Sequence, residues 1–485
     1  DREGKPLTRG ATTEHTLLNA GFNLLGTSLA AQEYWDNHRA LDYLLTRKDI
    51  DPEHIGVYGS SGGGTQTAYY IGLDPRVKVA AICSFFSTRE RTMELQGPSD
   101  GCQHIPYEGR EQLEVPDFAL MMAPRPLLIL SGKYDFVDLW GAQQGFAELQ
   151  QCYKVLGVPE KVDMLTVETG HGLGAEKRQK LASWFKRWLK DNQSPVKKAA
   201  QDRFQLSDML CTTKGQVNVS MPGALSIMQE NVNQLDEWAS KRETFLSKGK
   251  KTVQTKMLDL LGLKGLPDHK IRIEATGHDS MREYEQYKFQ LIREGEMPVP
   301  CILIMPSRAN ADSPIELRLQ EEGKGTYLSE YANFAAALTE GKILLLADLR
   351  GLGETTDPAF YTDAKYWNRE YRNAMISMHI GRPIMGQRVV DILTLLDFCS
   401  EHELLKGHPV KVFANGIYGP AVIHAAYLDE RINSVEITHS VKTWKEYIEK
   451  PMQWDMYSNV LYGALKYYDL PDLIRLSNRP IRFAD

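Results

Sequence analysis

The chain has 485 residues, 42% of them hydrophobic and 25% charged, with a formal net charge of −6 at pH 7. That length exceeds one ordinary hydrophobic core and predicts two or three domains of globular composition. The acidic balance argues against nucleic acid as the main partner, because phosphate binding needs a basic surface, and no apolar run is long enough to span a bilayer. The six cysteines (Cys83, Cys102, Cys152, Cys211, Cys301, Cys399) are scattered without a CxxC pair, so zinc and redox motifs are not expected. If one disulfide exists, Cys83–Cys102 is the pair to test. No signal peptide opens the sequence, although a mature or truncated chain would have lost one.

Taken in order, Ala31–Thr46 reads as a helix, Ile55–Tyr58 as a buried strand and Thr65–Ile71 as a helix. Strands follow at Val79–Phe85, Pro126–Leu130 and Val162–Val167, and Ala175–Leu189 closes this part as an amphipathic helix with Leu181, Trp184, Phe185 and Trp188 at helical spacing. The polar, proline-bearing stretch DNQSPVKK then reads as a linker. Beyond it, one long helix is expected from Asn233 to Leu260. Strands are expected at Ile271–Ala275, Tyr284–Leu291, Pro300–Met305, Ile343–Ala347, Val410–Phe413 and Val435–Thr438. Apolar β-branched runs alternating with helical patterns predict an α/β class with a mostly parallel, doubly wound sheet.

The two parts resemble each other. At an offset of 355, Gly26, Gln32, Asp36, Leu41, Asp42, Val57, Leu73, Asp74, Arg76 and Ile82 recur as Gly381, Gln387, Asp391, Leu396, Asp397, Val412, Leu428, Asp429, Arg431 and Ile437. Arg125-Pro126 recurs as Arg479-Pro480, and the opening DREG recurs as DLRG at Asp348. One register running through helix, strand, turn, helix and strand predicts two tandem copies of one domain. The division expected is residues 1–192, a linker at 193–202, and residues 203–485. The second copy carries about four strands before its DLRG, whereas the first begins at its DREG. The expectation is that the first copy's missing strands lie upstream of Asp1. The second copy reaches PIRFAD before any final strand is expected.

The first copy carries chemistry. Val57-Tyr-Gly-Ser-Ser-Gly-Gly-Gly-Thr65 sets a Gly-x-Ser-x-Gly pattern between a strand and a helix. That is the context of a strained nucleophile elbow, where glycines on both sides of the serine avoid side-chain clash. Ser61 is the candidate nucleophile, and the backbone N–H of Gly62 is a candidate oxyanion donor at a helix N-terminus. Chain order then calls for an acid and a histidine, each just after a later strand. Asp135 follows Leu127–Leu130, with Asp138 as the alternative acid, and His171 follows Val162–Val167. His15 and His104 read as ordinary surface or core histidines, and Asp100 as a turn cap or a pocket residue. In the second copy Val412-Phe-Ala-Asn-Gly-Ile-Tyr-Gly-Pro420 puts Gly416 opposite Ser61, Ala414 opposite Gly59 and Ile417 opposite Gly62. Without a hydroxyl at its elbow, this copy is expected to be inactive, serving structure or binding.

The segments VYGSSGGGTQTAYYIGLDPRVKVAAICSFFS, GPSDGCQHIP, APRPLLILSGKYDFVDLWGA and ETGHG resemble the acetyl xylan esterase-like family of bacterial α/β-hydrolases. The resemblance covers residues 1–190, with the remainder as a degenerate copy. It implies an α/β-hydrolase fold with Ser61, Asp135 and His171 as nucleophile, acid and base. It also implies removal of acetyl or similar small acyl groups from plant polysaccharides, no cofactor or metal, and a periplasmic or secreted location. Other readings are a serine peptidase of the prolyl-oligopeptidase type, although no propeller repeats are seen, a sugar methyl-ester esterase, and a carbohydrate-binding protein without catalysis.

Overall fold

The computed structural model describes residues 8, 10–196, 204–358 and 366–484. The opening DREG lies outside the described residues. The structure divides into two compact units, Asp1–His15 with Ser28–Ala224, and Thr16–Thr27 with Leu225–Asp485. This division differs from the one read at the polar linker: residues 204–224 go with the first unit and Thr16–Thr27 with the second.

The first unit is built on a parallel sheet in the order β1 (Gly56–Ser60), β2 (Val79–Cys83), β3 (Leu127–Gly132), β4 (Val162–Val167). Strands β2 and β3 are buried at every position, as unbroken apolar runs must be when helices cover both faces. The pleat sorts their side chains. Ala80, Ile82, Leu127 and Ile129 pack with Leu41, Ala68, Ile71, Leu149 and Tyr153, from the helices Leu29–Thr46, Gly62–Ile71 and Leu139–Val155. Val79, Ala81, Cys83, Leu128 and Leu130 meet Leu181 and Trp184 of the helix Ala175–Lys190 on the other face.

The second unit holds an eight-stranded sheet ordered β12-β11-β10-β8-β9-β7-β6-β5. Its strands are β5 (Arg272–Ser280), β6 (Tyr284–Ile292), β7 (Val299–Pro306), β8 (Ile315–Leu319), β9 (Ile343–Ala347), β10 (Val410–Asn415), β11 (Ile432–Thr438) and β12 (Ile481–Phe483). Strands β5, β6 and β7 pair antiparallel, and β8 to β12 run parallel. Two strands were not expected. In β8 the run IELRL is broken by Glu316, which stays buried because Lys342 and Arg318 neutralise it. Strand β12 has only three residues, in the stretch read as lacking a strand. The single helix expected from Asn233 to Leu260 is two, Ile227–Leu246 and Lys250–Leu260, broken at Gly249 with φ 96°.

Positions that match at the sequence offset of 355 make similar contacts. Arg76 donates to Asp42 at 2.5 Å and to Asp74 at 2.8 Å, and Arg431 donates to Asp397 at 2.7 Å and Asp429 at 3.0 Å. Gly26 and Gly381 take φ 75° and 73°, while Ser84 and His439, just beyond β2 and β11, take φ 49° and 51°.

Candidate active site

Ser61 stands between β1 and the helix Gly62–Ile71 with φ 58° and ψ −123°. A serine in that region is strained by roughly 1–3 kcal/mol, and the surrounding contacts must hold it there. Its N–H donates to Cys83 O at 3.0 Å, and its own carbonyl accepts from Thr65 N at 3.0 Å. At Gly59 a Cβ would lie 1.9 Å from Gly63 O, so no side chain fits. At Gly64 it would lie 2.7 Å from Cys83 O, whereas Gly62 and Gly63 face open space. The need for glycine on both sides of the serine therefore falls on Gly59 and Gly64, and Gly63 of the motif escapes it. The first N–H groups of the helix have no partner within it, which makes this end a receptor for developing negative charge.

Two further turns meet beside it. Asp135 follows β3 and His171 follows β4, and His171 Nδ1 lies 2.8 Å from Asp135 Oδ1. Their approach needs Gly132, where a Cβ would lie 2.6 Å from Thr169 O and 2.7 Å from Gly170 O. The Asp135 side chain is 1% exposed and that of His171 28%. The Phe136 ring stacks on the imidazole at 4.2 Å. Burial pushes the Asp135 carboxyl up, but hydrogen bonds from His171, from the Val137 N–H and from Ser84 outweigh it and hold the group below its ordinary value. Asp135 is thus held in its anionic form beside the imidazole.

The histidine turn is tied to the elbow through the end of β2. Gly172 N donates to Ser84 Oγ at 3.1 Å, and Cys83 Sγ contacts Gly172 O at 3.8 Å. Lys177, fully buried, donates to Ser84 Oγ at 3.1 Å and to Gly172 O at 3.0 Å. No hydrogen bond joins Ser61 Oγ to His171 among the described residues, and in unliganded hydrolases this contact is often long. Sequence reasoning missed Ser84 and Lys177. The signal was present for the lysine, since residues 177, 181, 184 and 188 share one helical stripe.

The other candidates have structural employment. Asp138 caps the helix Leu139–Val155 through Gly141 N at 2.7 Å and pairs with Arg91 at 3.2 Å, so Asp135 alone faces the histidine. Asp100 precedes the turn Gly101–Gln103 and accepts from Gln103 Nε2 at 3.0 Å. His104 is buried at 4% exposure. All six cysteines are free thiols, so no Cys83–Cys102 bridge forms.

Cys102 instead meets His15 Nδ1 at 3.2 Å, and with Glu33 these are the one group of three metal-ligand types gathered within 4.8 Å among the described residues. Burial, reinforced by Asp36 and Asp100, pushes the Glu33 carboxyl up to about 7. Burial likewise holds the Cys102 thiol protonated. The hydrogen bond within the group is the one between His15 and Cys102, and Glu33 Oε1 lies 3.7 Å from His15 Nδ1. A raised folded-state value means that Glu33 opposes folding as pH climbs from its ordinary 4.5 to about 7, with the full cost above that. Glu33→Gln is therefore expected to leave stability unchanged at pH 4.5 and to gain roughly 1–3 kcal/mol at pH 8. Thermal unfolding of both proteins across that range measures it; equal differences at the two ends would contradict the assignment.

The corresponding turn in the second unit has no hydroxyl at position 416. Gly416 follows β10 with φ 65°, and a Cβ there would meet Glu321 Oε2 at 1.7 Å. That carboxylate accepts from Ile417 N at 2.9 Å and pairs with Arg369 at 3.3 Å. The position equivalent to Gly62 thus spends its N–H on an internal anion.

Residues 25–192 match the model of the prolyl oligopeptidase family. A relative from Bacillus subtilis (strain 168), "Putative hydrolase YtaP", is 26% identical over 168 residues, 34% of this chain and 56% of its own. The chain thus spans just over half the length of that relative. Among solved structures, acetyl xylan esterase 1 from Thermoanaerobacterium sp. JW/SL YS485 is 15% identical, with 48% of this chain and 77% of that chain covered and a TM-score of 0.34. A glucuronoyl esterase from Solibacter usitatus is 10% identical, with 50% and 74% covered and a TM-score of 0.36.

Proposed function

We propose that the first unit is a serine carboxylester hydrolase that removes acetyl or similar small acyl groups from plant polysaccharides. The observation that carries this reading is the 2.8 Å contact between His171 and a buried Asp135 on the turns beyond β3 and β4, in a sheet whose β1 ends in the strained Ser61. Ser61 Oγ attacks the acyl carbon while His171 Nε2 takes its proton, and Asp135 stabilises the imidazolium. The Gly62 N–H receives the oxyanion. The bond from the acyl carbon to the sugar oxygen then breaks, and His171 protonates the departing hydroxyl. Water repeats the two proton transfers and frees the acid and Ser61.

The family match at residues 25–192 favours a second reading, a serine peptidase, in which the same groups expel an amine. Release of acetate from acetylated xylan, of methanol from a pectin or glucuronoyl ester, and of amine from a proline peptide amide separates the readings. Acetate release is expected to dominate, and amine release alone would overturn the proposal.

The matched contacts of Arg76 and Arg431 support reading the chain as two copies of one domain, the second without hydrolytic chemistry. Among the described residues no helix is long and apolar enough to cross a membrane. A polymeric substrate that cannot enter a cell favours a periplasmic or secreted bacterial location.

A further inference from the structure

The elbow of the second unit opens into a cavity of about 350 Å³ beyond the carboxyl ends of β10 and β11, where parallel α/β sheets hold their ligands. Its size falls within the range of small-molecule sites. Glu321, Glu446, Asp455, Gln453, Asn459 and Trp454 line it. We infer that this cavity binds one uncharged sugar residue of an oligosaccharide, with Trp454 as the stacking surface.

The lining decides the ligand class. Three carboxylates face the space, and the cation nearest to them, Arg369, is already shared between Glu321 at 3.3 Å and Asp455 at 2.7 Å. Glu446 has no ion pair among the described residues. The balance remains acidic and repels phosphates and uronates. A cation would answer the carboxylates as a donating hydroxyl does, so spermidine is the control that separates the two. Gln453 gives its amide N–H groups to Glu446 O and Lys450 O at 3.1 Å each and keeps Oε1. The buried Asn459 Oδ1 has no hydrogen-bond partner among the described residues, so both present acceptors to the hydroxyls of a sugar.

Trp454 is 65% exposed, and its indole stacks on Trp367 with ring centres 5.9 Å apart, which steadies the ring while most of its surface stays accessible. Such a surface takes the C–H face of a pyranose while the carboxylates take its hydroxyl edge. Glu321, held by Ile417 N–H, fills the spot where a nucleophile would stand, so the ligand is held without being cleaved.

The choice of a xylan oligomer as probe rests on the polysaccharide substrate proposed above. Unacetylated xylohexaose, which offers no ester, is titrated into the full chain by calorimetry, with tryptophan fluorescence in parallel. Saturable binding is expected in the wild type, weakened at least tenfold in Trp454→Ala and in Glu446→Ala. Thermal unfolding identifies variants that keep the fold. No binding of xylohexaose, binding unchanged in both folded variants, or binding of spermidine in its place would each overturn the inference. Turnover of p-nitrophenyl acetate by the wild type tests the esterase reading independently, so the two can fail separately.

Discussion

Ser61→Ala is expected to lower kcat for p-nitrophenyl acetate by a factor of roughly 10⁶, about 8 kcal/mol of transition-state stabilisation, while the protein stays folded. The magnitude follows from the unity of the three groups. Without Ser61 Oγ there is no acyl-enzyme, and His171 and Asp135 have no proton to move. The residual rate comes from binding and from the oxyanion donors alone. The fold should not suffer, because the strain at φ 58° belongs to the backbone and alanine bears it as serine does. Ser61→Gly sharpens the test. Glycine accepts positive φ freely, so this variant should be equally inactive yet more stable by roughly 1 kcal/mol, seen as a higher Tm. Loss of activity together with gain of stability is the mark of a residue strained for function. Retention of more than about one part in a thousand of the hydrolysis rate by Ser61→Ala would remove Ser61 from the mechanism.

Much of this site could be read from the residues because its signals are local. A Gly-x-Ser-x-Gly between an apolar run and an alanine-rich helix fixes the elbow, and a polar turn after each later strand supplies Asp135 and His171. The sequence already ranks Asp135 ahead of Asp138, but the cap and the ion pair that occupy Asp138 are invisible in a string of letters until the helix start is known. Ser84 and Lys177 escaped for a different reason. Their roles depend on the end of one strand meeting the turn after another, a contact across 88 positions of sequence from Ser84 to Gly172. Strand β8 escaped because Glu316 and Arg318 interrupt its apolar pattern, and the ion pairs of Glu316 with Arg318 and Lys342 that keep it buried are not visible in the sequence. The break at Gly249 was visible as a glycine. Helical spacing on both sides made one continuous helix the simpler reading, and only the positive φ separates the two segments.

Gly416→Ser carries the other large effect, and it bears on why the second elbow cannot simply be restored. A serine at 416 would stand opposite Ser61 in the repeat, so a naive expectation is a second nucleophile. Two costs oppose it. The backbone at φ 65° disfavours any Cβ by roughly 1–2 kcal/mol. The new Cβ would also stand 1.7 Å from Glu321 Oε2, which is anchored by Ile417 N and by Arg369, so the carboxylate must be displaced. Overpacking of this kind adds roughly 1–3 kcal/mol. The variant is therefore expected to lose roughly 2–5 kcal/mol in chemical denaturation and to gain no hydrolytic activity, measured on a Ser61→Ala background. Adding Glu321→Ala should recover the overpacking part and leave the backbone strain, because only the first depends on the carboxylate. A loss that persists in full in the double variant would show that Glu321 is not what excludes a side chain at 416. Recovery would mean that this carboxylate, more than the missing hydroxyl, defines the second elbow: it stands against position 416 and takes the Ile417 N–H, so its negative charge would repel the oxyanion proposed for the first unit.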